Sequence, residues 1–151
     1  MKKGYTLYNV LFPVWMLLMF PAAWIVVIPG NFLIDSLVLI LSMIALKMSD
    51  RKRFYWKHIL QIFLLGFLSD IIAAGIMLLL CSKFEIGGNL ADGPLLTVPS
   101  VLIAAALIFV FNYYITFRKD EKSLRMRLSL IFAIATAPYT FLIPSSLLYA
   151  I

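Results

Sequence analysis

One cysteine, one histidine and seven acidic residues are all that this 151-residue chain brings to the commoner kinds of active site. A lone Cys81 excludes an internal disulfide and any cysteine metal cluster, and a lone His58 excludes a histidine-rich zinc site. No nucleophile–histidine–acid set, glycine-rich phosphate loop or paired acidic metal motif is present, so the chain does not read as an enzyme and calls for no cofactor. Charged residues make up 13% of the chain, about half the share usual in soluble domains. What fills their place is apolar: 64% of the residues are hydrophobic and the mean hydropathy is +1.02. A soluble domain of this length has no use for so much apolar surface, so the class is a membrane protein.

The apolar runs divide into five spans, at about 7–28, 32–48, 59–80, 96–117 and 128–151. Each is long enough, or nearly so, to cross a hydrocarbon core about 30 Å thick. The expected fold is all-α: one polytopic transmembrane domain covering residues 1–151. The first run follows Met-Lys-Lys-Gly-Tyr but is too long for a signal peptide, and a second span follows at once. Pro29-Gly30-Asn31 reads as a tight turn between spans one and two, with Asn31 capping the second helix. The basic run Ser49–His58 joins spans two and three, and Phe54, Tyr55 and Trp56 within it form an aromatic belt. His58 and Asn112 read as interfacial groups near the ends of their spans, and Pro99 as a first-turn residue of span four.

All thirteen Lys and Arg residues except Lys83 fall on one side of such a five-span plan. That bias places the amino terminus in the cytoplasm and the carboxyl terminus outside, in a multi-pass protein of the cell membrane. The formal charge of +6 is therefore no sign of a nucleic-acid partner, because the cations sit in short connections between apolar runs.

Two aspartates stand inside spans, Asp35 in the second and Asp70 in the third. A carboxylate at a helix centre costs about 2.5–3.5 kcal/mol on the insertion scale, so each needs a reason. Each is about 13 residues from its end of the basic turn, roughly 20 Å of helix, which would set both at one depth. Asp70 shares a face with Gly66, Ala73 and Ala74, a stripe that lets another helix approach closely. Asp35 shares a face with Asn31 and Ser42 and lies near the expected start of its helix, where negative charge is favoured. Ser69 stands beside Asp70.

The same level in the other spans holds Pro21 and Pro138-Tyr139-Thr140, where prolines would free the carbonyls of Leu17 and Ile134. Carboxylates, freed carbonyls and hydroxyls at one depth are the parts of a proton or small-cation site. The expected function is a small ion- or proton-coupled transporter or channel subunit, with Asp35 and Asp70 as a paired carboxylate site. The alternative is a non-catalytic scaffold or accessory subunit whose buried polar groups hold helices or a partner protein. Either role asks for copies of the chain or another membrane subunit besides the lipid bilayer. An intramembrane aspartyl protease is disfavoured, since Ile34 and Ser69 precede the aspartates where such enzymes carry Tyr and Gly.

The stretch Phe111-Asn-Tyr-Tyr-Ile-Thr-Phe-Arg-Lys119 resembles span ends in small four-helix proteins proposed to move polyprenyl-linked sugars. The resemblance covers nine residues, the five-span plan departs from it, and no residue role is carried over. In composition the chain is similar to small integral membrane proteins of Gram-positive bacteria.

Overall fold

A computed structural model of the chain describes residues 21–83 and 94–139. Residues 7–20 of the first expected span, the connection 84–93 and residues 140–151 of the fifth span, Thr140 among them, lie outside the described residues. Among the described residues four helices carry the fold: α1 (Pro21–Ala45), α2 (Arg51–Lys83), α3 (Pro94–Phe111) and α4 (Lys122–Ala135). Asn112–Thr116 continues α3 as a π-helical segment, and no strand occurs among the described residues. α2 packs against α1 and α3, while α4 packs against α3, the π segment and α1.

Besides an apolar core, the helices bury many small and polar residues and leave many large apolar ones exposed. Leu33, Leu37 and Leu41 of α1, at four-residue spacing, face outward, as do Leu60, Leu64 and Leu68 of α2. The inward faces carry Asp35, Ser36 and Ser42 on α1, Ser69 and Ala73 on α2, Ser100 and Ala104 on α3, and Ser129 on α4. In water this arrangement would expose its leucines at a cost; in lipid it is the stable one, because small residues allow close helix contact. Among the described residues three stretches are long and apolar enough to cross a membrane: Ile28–Ala45, Arg51–Ala73 and Val98–Thr116. The apolar core between the helices centres on Leu39, Met43, Ile59, Ile62, Ile108, Phe117, Leu128 and Phe132.

Two boundaries differ from the sequence expectation. Pro29-Gly30-Asn31 is not a turn, because α1 runs through it with Pro29 inside the helix. Within apolar surroundings, leaving the helix would strand several backbone groups, whereas one proline costs a single N–H and frees one carbonyl, that of Ile25. Asn31 is therefore a mid-helix residue and not a cap, and Asp35 has no unpaired helix-start N–H groups beside it. The second difference is the basic turn, which is shorter than expected because α2 already begins at Arg51.

The α1–α2 connection shows how so short a turn is made. The N–H of Lys47 donates to the Ile44 carbonyl at 3.1 Å and the N–H of Met48 to the Met43 carbonyl at 3.1 Å. This is the Schellman pattern, which needs a left-handed residue after the helix end. Lys47 fills that position at φ 52°, where glycine is the usual occupant. Met48 packs back on the core that includes Met43, the apolar contact that accompanies this ending.

The extent of span five, expected at 128–151, differs too: α4 starts earlier, at Lys122, and stops at Ala135, three residues before Pro138, whose ring disfavours the preceding turn. Pro99 sits inside α3, beyond the first turn, because the helix already starts at Pro94.

Candidate functional site

The helix contact between α1 and α2 places the two aspartates. Asp35 is 7% exposed and turned toward α2. A methyl group built on Gly66 would lie 3.9 Å from Asp35 Oδ2, an ordinary contact distance, so the Asp35 carboxyl faces α2 at Gly66. Gly66 and Asp70 are four residues apart on one face of α2, so Asp35 stands about one helical turn, roughly 5.4 Å, from the level of Asp70. Asp35 acts electrostatically on Asp70 across that gap. Asp70 Oδ1 is enclosed and has no hydrogen-bond partner.

The expected alignment of both acids at one depth is thus replaced by an offset of about one turn. Its cause is the early start of α2 at Arg51: Asp35 faces Gly66, so the hairpin is centred near Asp50 and Arg51, nearer Asp35 than Asp70 in sequence.

The supporting residues are distributed differently from the expectation. Ser69 is fully buried but donates to the Leu65 carbonyl of its own helix at 2.8 Å, a back-bond that uses up its hydrogen. Ser42 does the same to Val38 at 2.7 Å. Asn31 is partly buried, one helical turn from Asp35. Pro21 is the first residue of α1, and Leu17, whose carbonyl it was expected to free, lies outside the described residues. Pro138 is buried, and the carbonyl of Ile134 accepts a hydrogen bond from the Tyr139 hydroxyl. Local side-chain bonding thus satisfies the carbonyl that was expected to await a cation. Across the helix pair, the Ser36 and Tyr55 hydroxyls share a hydrogen bond of 2.9 Å and Phe32 meets Phe63 edge to face, which ties α1 to α2 beside Asp35. Among the described residues no group of three His, Cys, Asp or Glu side chains is placed to hold a metal ion.

A second polar cluster was not foreseen. His58 is 1% exposed, enclosed by protein, with Nε2 3.0 Å from Asp120 Oδ2. Neither atom has a hydrogen bond of acceptable direction, so the contact is electrostatic and off-axis. The His58 Nδ1 edge is 3.0 Å from the Phe54 carbonyl, and the ring lies between those of Phe54 and Phe117. Lys57 completes the group at 3.3 Å from Asp120. Helix α2 is thereby fastened to the loop before α4, and the two basic connections meet at one end of the molecule.

Close by, Asn112 is 1% exposed with both side-chain heteroatoms unpaired, and Thr116 Oγ1 and Ser129 Oγ are also enclosed without partners. Tyr113 meets Arg125, and Phe117 meets Phe132, so these two contacts bracket Thr116 and Ser129 between the π segment and α4. Several buried polar atoms without partners and a π-helical segment occur together here, and such segments are frequent at functional sites. The one signal in the sequence was the four-residue spacing of Asn112 and Thr116 at the end of an apolar run.

Fold and burial pattern together define a helical membrane protein in which a buried Asp35 stands about one helical turn from a half-buried Asp70. Compared with known proteins, the chain matches no family model, no curated protein and no solved structure.

Proposed function

We propose that this chain is a multi-pass helical protein of the bacterial cell membrane, with its two basic connections on the cytoplasmic side, that acts as a small ion- or proton-coupled transporter or channel subunit; because α1 runs through Pro29-Gly30-Asn31 without a turn, the five-span count and the inward amino terminus are not carried forward. The observation that carries the reading is the Asp35 carboxyl, buried against Gly66 one turn from Asp70 and within electrostatic reach of it. Two carboxyls so placed are unfavourable as a pair of bare charges in low dielectric. A proton shared between them, or a small cation beside them, relieves that repulsion, and loss of either restores it. Binding and release are then linked to charge at this site. The meeting of both basic connections through Lys57, His58 and Asp120 supports the orientation, since it gathers the cations at one end. A chain of so few helices encloses a pathway only with copies of itself or another subunit.

Deep burial of Asp35 at a helix contact favours a second reading, in which the acids hold helices or a membrane partner and move nothing. Flux into proteoliposomes, measured with a panel of cations and a proton-sensitive dye, separates the two. Transport predicts flux that Asp70→Asn abolishes while the protein still folds, and Asp35→Asn weakens cation binding as well. Absence of flux for every cation and for protons, with either substitution lowering thermal stability or partner retention, would overturn transport in favour of the scaffold.

A further inference from the structure

A concavity of about 420 Å³ opens at the α1–α2 turn, lined by Ser49, Asp50, Arg51, Lys52, Arg53 and Trp56. Three successive cations stand around it against one acid. Asp50 is the one acid in the lining and offsets only part of that charge, so the concavity is positive. Arg51 is oriented by its Nε–H, which donates to the Met48 carbonyl at 3.0 Å and leaves the outer edge of the guanidinium on the turn. The concavity does not end in water on every side. Trp56, at its rim, is 69% exposed, and at four-residue spacing above it Leu60 is 61% and Leu64 54% exposed. These three side chains form one stripe up the outside of α2.

We propose that this concavity binds the phosphate of an anionic phospholipid, with the acyl chains lying along Trp56, Leu60 and Leu64. Charge complementarity selects the headgroup, since guanidinium and ammonium groups pair with phosphate oxygens. Continuity with the leucine stripe selects a lipid over a free phosphate, because the apolar surface leaving the concavity matches chains and not water. The second basic connection, around Lys119, Lys122 and Arg127, is as cationic but does not line this concavity.

The test is a lipid titration of the purified full chain in detergent, read by the thermal midpoint, with phosphatidylglycerol, phosphatidylcholine or inorganic phosphate added. Phosphatidylglycerol should protect with saturation, and phosphatidylcholine and phosphate should not. Substituting Arg51→Gln, Lys52→Gln and Arg53→Gln together should raise the half-saturating lipid concentration at least about tenfold, since each cation near a membrane surface contributes about fivefold. The matched set Lys119→Gln, Lys122→Gln and Arg127→Gln, which removes the same charge, should raise it less than about threefold. Equal loss in both sets would overturn the site in favour of diffuse attraction. Protection by inorganic phosphate alone would overturn the lipid as occupant. If the first set fails to fold, Trp56 reports directly in a Trp15→Phe, Trp24→Phe background. Brominated phosphatidylglycerol should then quench it several-fold more strongly than brominated phosphatidylcholine, and equal quenching would refute the proposal.

Discussion

Gly66 is where the arrangement of the carboxylate site is most exposed to experiment. A Cβ there meets Asp35 Oδ2 at 3.9 Å, an ordinary van der Waals separation. Gly66→Ala therefore fits without displacing anything. It also removes the flexibility of a glycine inside a long helix, so it should stabilise the protein by about 0.5–1 kcal/mol. Gly66→Leu adds three more carbons where contact is already complete. It must push Asp35 or separate α1 from α2, and overpacking of that kind costs about 1–3 kcal/mol. The two substitutions at one position should thus change stability in opposite directions.

The assay is unfolding in mixed detergent–dodecyl sulfate micelles, followed by loss of helical signal. A double-mutant cycle sharpens it. In an Asp35→Ala background the leucine has room, so its penalty should shrink by about 0.5–3 kcal/mol, the range for residues in direct contact. If Gly66→Leu is as mild as Gly66→Ala, or if its penalty is unchanged when Asp35 is truncated, then Asp35 does not face Gly66 and the paired site fails with it.

Asp120→Ala should cost about 1–3 kcal/mol, because it removes the carboxylate that stands 3.0 Å from Nε2 of fully buried His58. Lys57→Gln should cost less than about 1 kcal/mol, since that side chain is 49% exposed; equal losses in the same unfolding assay would show that the exposed pair and not the buried one matters. Lys47→Gly should stabilise by about 1 kcal/mol by relieving a left-handed lysine at φ 52°, and a loss of stability would mean that the lysine side chain contributes more than its backbone costs. Reporter fusions after Lys52 and Lys122 should read as cytoplasmic and those after Asn89 and Ile151 as external; an external signal at Lys52 would reverse the orientation proposed from the basic residues.

Composition made the membrane class legible, because leucine-rich stretches of spanning length leave a chain few other places to be. The inward face of α1 was legible too: Asp35 and Ser42 recur at helical spacing, and both are buried. The Pro29-Gly30-Asn31 break was misjudged for a physical reason. Turn chemistry is calibrated where water competes for backbone groups, and inside lipid that competitor is missing, so a helix carries its proline onward. The same error shifted the depth count, since residues 51–58 were assigned to a turn on their charge although nothing in them breaks a helix. A glycine would have marked the sharp ending at Lys47; a lysine in the left-handed position gives no such mark.

The polar cluster around His58 was beyond sequence reading for a different reason. Lys57 and Asp120 are 63 residues apart, and no local pattern says that the loop after the π segment returns to the second helix. Read alone, a histidine next to Phe54, Tyr55 and Trp56 belongs to the headgroup region, and an asparagine near a span end belongs there as well. Packing adds what neither reading contains: His58 is enclosed against the Phe54 and Phe117 rings, and Asn112 is buried as completely. A membrane protein can afford few unpaired polar atoms in such a place. Those of Asn112, Thr116 and Ser129 therefore set a demand, for partners or for a change of side-chain conformation, that the carboxylate pair alone does not explain.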